Sequence, residues 1–171
     1  MRGQVGERAA VPALCLLAGF GVGLSTWQLL ERRAEVAGWA ALAAGVCLVA
    51  AGVLLRPGDR RARVVLSFAD RAFDGCILAS LAWVTRASDP AVAAASLVAL
   101  AAGFVASYIR AKGGSLGYGI EEGVVTPVLR YGLVSLALIL DWTEWAIWVV
   151  AVLMLLAAGV RASQVAKEER L

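Results

Sequence analysis

The chain has 171 residues, of which 61% are hydrophobic and only 17% charged, with a net charge of +3 and a mean hydropathy of +0.78. That balance excludes an ordinary soluble domain. It also excludes a nucleic-acid reader, because no stacking aromatics interleave with the basic residues, which suit topology and anionic headgroups better.

A spanning helix needs roughly 17 to 25 predominantly apolar residues. Such windows recur at 11–30, 38–55, 64–84, 91–109, 124–140 and 143–160. The reading is all-α: one integral membrane domain over 1–171, built as a six-transmembrane-helix bundle with short links. The first window is too long for an ordinary signal-peptide core and lacks an A-x-A-like cleavage site, so it is expected to stay as a helix. Lys and Arg outside the windows divide eleven to three. Arg2, Arg8, Arg56, Arg60, Arg61, Arg63, Arg110, Lys112, Arg161, Lys167 and Arg170 lie on one side, and Arg32, Arg33 and Arg86 on the other. The excess predicts a multi-pass protein of the cell membrane with both termini in the cytoplasm.

Along the chain, Ala40 to Gly45, Ala91 to Ala95 and Ala101 to Gly103 are rich in small residues, which lets neighbouring helix backbones approach closely. Cys15, Cys47 and Cys76 fall inside the windows with no C-x-x-C spacing, and the chain has no histidine, so they read as buried packing residues. Trp142, Trp145 and Trp148 cluster at the start of the last window and read as interfacial anchors.

The most informative residues are Asp70, Arg71 and Asp74, inside the third window. Ionisable groups at membrane depth are costly and mark a functional site by default. Asp70 and Asp74 are one turn apart on one face, and Arg71 can reach Asp74 three residues on. The trio can be an internally compensated polar lock between helices, with Arg130 as a further partner. The alternatives to that lock are a residual ligand site and, behind it, a catalytic centre.

The cytoplasmic half has a second signal. Ser107-Tyr-Ile-Arg-Ala-Lys112 closes the fourth window, Gly113 to Gly119 reads as a flexible link, and Glu121-Glu122 leads into the fifth. This run resembles the C-terminal half of the CDP-alcohol phosphatidyltransferases, notably the phosphatidylglycerophosphate and phosphatidylinositol-phosphate synthases. The resemblance covers roughly 38 to 134.

It implies the family's fold and its motif D-x2-D-G-x2-A-R-x8-G-x3-D-x3-D. There, aspartates on two helices hold two divalent cations against a CDP diphosphate, and the last Asp is the base for the acceptor hydroxyl. In this chain Gly52 and Arg56 match, but Leu48 and Ala51 replace the first two aspartates and Leu55 the alanine. Two registers fit the third helix. The favoured one makes Asp70 the last aspartate, with Leu66 in place of the third. The other makes Asp70 and Asp74 the third and fourth.

Either register keeps at most two of four carboxylates, and hard cations need several oxygen ligands. The resemblance thus implies a degenerate member. Asp70 is the candidate base, and Gly52, Arg56, Arg71, Asp74, Arg110, Lys112, Glu121 and Glu122 are candidate substrate contacts. Asp70 and Asp74 are metal ligands only if a residual site exists; otherwise no cofactor is expected, Mg or Mn being needed only by an active site.

The favoured function is a catalytically impaired partner or regulator in phospholipid biosynthesis, embedded in the lipid bilayer. It would pair with itself or with an intact phosphatidyltransferase. The alternative is an active transferase moving a phosphatidyl group from CDP-diacylglycerol to a polar alcohol, releasing CMP. A small transporter is disfavoured because no inverted repeat or broken-helix pair is visible. The polar ending from Gln164 suits a free terminus or a junction with a longer chain.

Overall fold

The computed structural model describes residues 2–119 and 127–168, and the described residues form six α-helices without strands. In chain order they are α1 (Arg2–Leu30), α2 (Ala34–Leu54), α3 (Arg60–Thr85), α4 (Pro90–Ser115), α5 (Pro127–Ile139) and α6 (Thr143–Glu168).

Short polar punctuation sets the helix ends. Asp59 caps α3 through the Ala62 N–H at 3.0 Å, and Asp89 caps α4 through Ala91 and Val92 with Pro90 at the first helical position. Three helices close with the same left-handed turn. At Arg32 (φ 59°) Arg33 N–H donates to Gln28 O, at Asp141 (φ 56°) Trp142 N–H donates to Ala137 O, and at Gly117 (φ 90°) Tyr118 N–H donates to Gly113 O. These are six-to-one Schellman bonds, which satisfy carbonyls the helix leaves open. Gly113 to Ser115 therefore belong to α4, which corrects the expected flexible link: the link begins only at Leu116.

Four helices contain segments long and apolar enough to cross a membrane: 10–30 in α1, α2, α4 and 143–167 in α6. Two of the six expected spans differ. α3 has 26 residues but carries Arg60, Arg61, Arg63, Asp70, Arg71 and Asp74 in its first fifteen. α5 has only 13 residues, about 20 Å at 1.5 Å per residue, against a hydrocarbon core of about 30 Å.

α1 packs on α2 and α3, α2 on α5, α3 on α4, and α4 on α6. Small residues make these approaches possible. A Cβ on Gly21 would lie 3.0 Å from Ala44 Cβ, one on Gly38 would lie 2.9 Å from the Ser135 carbonyl, and one on Gly45 would lie 2.8 Å from Tyr131 Cβ. α2 thus presents Gly38 and Gly45, two turns apart, to α5. Phe73, Ile77 and Leu81 carry the buried stripe of α3 into a core shared with Leu48, Tyr131 and Leu138.

The turns α1–α2, α3–α4 and α5–α6 meet at one end, where Arg32, Ser88, Asp89, Asp141 and Glu144 line a common cavity. All six tryptophans, Trp27, Trp39, Trp83, Trp142, Trp145 and Trp148, sit toward this end and are exposed. The aromatic belt expected from the last helix alone is drawn from four helices. The cysteines split: Cys15 is buried and Cys47 half-buried, whereas Cys76 is exposed, contrary to the expectation that all three pack inside. Cys76 follows Gly75 on the outward side of α3, to one side of the Phe73 stripe.

Candidate functional site

The polar residues of α3 and α5 meet in one cluster. Asp70, Arg71 and Asp74 follow one another along a single turn of α3, and Arg130 and Tyr131 come from the first turns of α5. Arg130 Nε lies 2.7 Å from Asp74 Oδ1, while its Nη2 donates to Asp70 Oδ1. Arg71 bridges the same two carboxylates, with Nη2 2.5 Å from Asp70 Oδ2 and Nη1 3.1 Å from Asp74 Oδ2. The Tyr131 hydroxyl donates to Asp70 Oδ1, and Arg71 Nη1 also donates to the Gly103 carbonyl of α4 at 3.0 Å.

Two carboxylates and two guanidiniums leave no net charge. Side-chain exposure is 4% for Asp74 and 7% for Arg130, against 16% for Asp70 and 18% for Arg71. The innermost pair is therefore Asp74–Arg130, and the rim pair Asp70–Arg71. A buried ion that loses its partner costs far more than the pair contributes, since the remaining charge stays desolvated. This closed arrangement avoids that penalty for all four ions.

Local packing explains why the cluster closes. Gly45 admits the Tyr131 side chain against α2, and the Tyr131 ring lies 4.5 Å from Phe73 at 55°, which orients its hydroxyl toward Asp70. A Cβ on Gly103 would sit 3.5 Å from Arg71 Nη1 and 4.0 Å from Asp74 Oδ2, ordinary contact distances, so the cluster packs closely against α4 here.

The remaining candidates are dispersed. Gly52, Arg56 and Lys112 are exposed and Arg110 is half-buried. Glu121 and Glu122 lie outside the described residues. Leu48 is buried in the apolar core with Phe73 and Tyr131, and Ala51 in a second apolar cluster with Val11, Cys15 and Ala62. Tyr131 is the member that sequence reasoning missed. Its signal was adjacency to Arg130 in an apolar segment, since a buried phenol normally finds a hydrogen-bond partner.

The divalent cations implied by the family resemblance do not suit this donor set. The carboxylate oxygens of Asp70 and Asp74 already face guanidinium or phenol donors, and the positions on α2 are Leu and Ala. Among the described residues no group of three or more His, Cys, Asp or Glu side chains converges.

No protein-family model and no curated protein matches the chain. The functional reading therefore stands on residues and geometry.

Proposed function

We propose that the chain is a degenerate CDP-alcohol phosphatidyltransferase-like membrane protein that acts as a non-catalytic partner or regulator in phospholipid biosynthesis. The observation that carries this reading is the closure of Asp70 and Asp74 by Arg71, Arg130 and Tyr131. A base must be free to take a proton from its acceptor within hydrogen-bond reach. Here Asp70 accepts from three side chains, two of them cations.

Six crossings fit the same reading. From Arg63 to Trp83 α3 rises through 20 residues, about 30 Å, the thickness of a hydrocarbon core. Its charges between these limits are the self-neutralised cluster alone, so the cost that keeps charged residues out of membranes is largely removed. α5 itself covers about 20 Å of that depth. Both termini then lie on the arginine-rich cytoplasmic side, opposite the tryptophan belt.

The partner is a second copy or an intact phosphatidyltransferase. The test has two arms. Purified protein with CDP-diacylglycerol, Mn²⁺ and a panel of polar alcohols is expected to release no CMP. Affinity purification from native membranes is expected to bring down a phosphatidyltransferase that has all four motif aspartates. CMP release that Asp70→Asn abolishes would establish the active-transferase alternative instead.

A further inference from the structure

The membrane-facing side of α3 and α4 carries a feature that the buried cluster does not use. A cleft of about 630 Å³ runs between the two helices, lined by Val64, Phe68, Ala72, Gly75 and Phe104, with Arg71 at its floor. The lining is almost entirely apolar. Phe68 and Phe104 are exposed at its edges, and a Cβ on Gly75 would meet nothing within 4 Å.

Above this cleft, at the end away from the tryptophans, sit three exposed cations. Arg60 and Arg61 lie one turn before Val64 and so continue the face of α3 that lines the cleft. On α4, Phe104, Tyr108 and Lys112 follow at intervals of one turn and carry the other wall up to the same level. No carboxylate pairs with Arg60, Arg61 or Lys112 among the described residues. The one nearby acid on α3, Asp59, is committed to its helix cap.

The first turn of α3 contains no acidic residue and holds Arg60, Arg61 and Arg63. Cations at a helix N-terminus oppose the helix dipole, whereas an anion there is favoured. The height agrees as well. Arg60 is 23 residues from Trp83 on α3, about 35 Å, which sets the guanidinium at phosphate level when the indoles occupy the opposite interface.

We infer that the α3–α4 face binds one anionic phospholipid, its phosphate on Arg60, Arg61 and Lys112 and one acyl chain in the cleft below. The charge selects the headgroup, and the apolar lining accepts only the chain. The inference does not depend on the transferase-like reading, since it uses the outer face rather than the buried cluster.

Native mass spectrometry of the intact protein, released from mixed micelles with equal phosphatidylglycerol and phosphatidylcholine of identical chains, tests this. The wild type is expected to retain phosphatidylglycerol preferentially. The triple variant Arg60→Gln, Arg61→Gln, Lys112→Gln should lose that preference, by about fivefold for each cation removed. Gly75→Leu should fill the cleft and reduce retention of phosphatidylglycerol while circular dichroism confirms an unchanged helix content. Arg33→Gln, at the tryptophan end, should leave the preference as it was. Equal retention of the two lipids by the wild type would overturn the inference. So would a preference that survives the triple variant, retention unaffected by Gly75→Leu, or a loss on Arg33→Gln as large as that of the triple variant.

Discussion

Arg130 contacts both Asp70 and Asp74, and through them fastens α5 to α3 across sixty residues of sequence. Its position in the first turn of a helix only 13 residues long makes it the main polar hold on that helix. Arg130→Met should leave two buried carboxylates with Arg71 as their one cation, at a cost of about 3 to 5 kcal/mol. Thermal unfolding in detergent, followed by helical circular dichroism, should show a large drop in midpoint. The double variant Asp74→Leu with Arg130→Leu should recover most of it, because both ions leave together. Additive losses would argue against coupling between the two.

Tyr131 contributes a hydroxyl and a ring that can be separated. Tyr131→Phe keeps the contact with Phe73 but removes the donor to Asp70, a hydrogen bond to a charged group worth about 1.5 to 3 kcal/mol. Tyr131→Ala should cost more, about 3 to 5 kcal/mol, because the core contact goes as well. The same unfolding assay ranks the two.

Gly45 sets how near α5 can come to α2. Gly45→Ala would place a methyl 2.8 Å from Tyr131 Cβ, and overpacking of this kind costs about 1 to 3 kcal/mol. Gly132→Ala, on α5 with nothing within 4 Å of the added Cβ, is the control. It should be neutral or stabilise by up to about 1 kcal/mol through helix propensity. Equal effects at the two positions would show that Gly45 is not a close-approach site.

Cysteine accessibility tests both burial and topology. Cys76 lies on the lipid-facing surface of α3 and Cys15 is buried, so a water-soluble maleimide should label either only after the protein is denatured. With the native cysteines replaced, Ser88→Cys and Ser115→Cys mark opposite ends of α4. In intact cells an impermeant maleimide should reach position 88 only; labelling at 115 instead would invert the proposed orientation.

Much of the fold was legible because the signals are local. The windows 11–30, 64–84, 91–109 and 143–160 lie within helices, and the pairing of Arg71 with Asp74 follows from a spacing of three residues. Helix ends were less legible. Gly113 and Gly114 looked like a linker, yet α4 continues through them to a turn at Gly117. Arg32 and Asp141 adopt left-handed turns that composition would have assigned to glycine. The outward placement of Cys76 was not visible because the polar side chains of its window turn inward, so polarity gives no solvent face against which to read direction.

The sequence by itself determined that Asp70, Arg71 and Asp74 share a helix inside an apolar chain. Periodicity and residue chemistry suffice for that. Only the tertiary structure decided which groups neutralise the aspartates, because Arg130, Tyr131 and the Gly103 carbonyl come from two other helices. Their convergence depends on how closely α5 and α4 approach, and for α5 on the missing side chain at Gly45. Helical spacing fixes neighbours within a turn; contacts across sixty residues are fixed by packing.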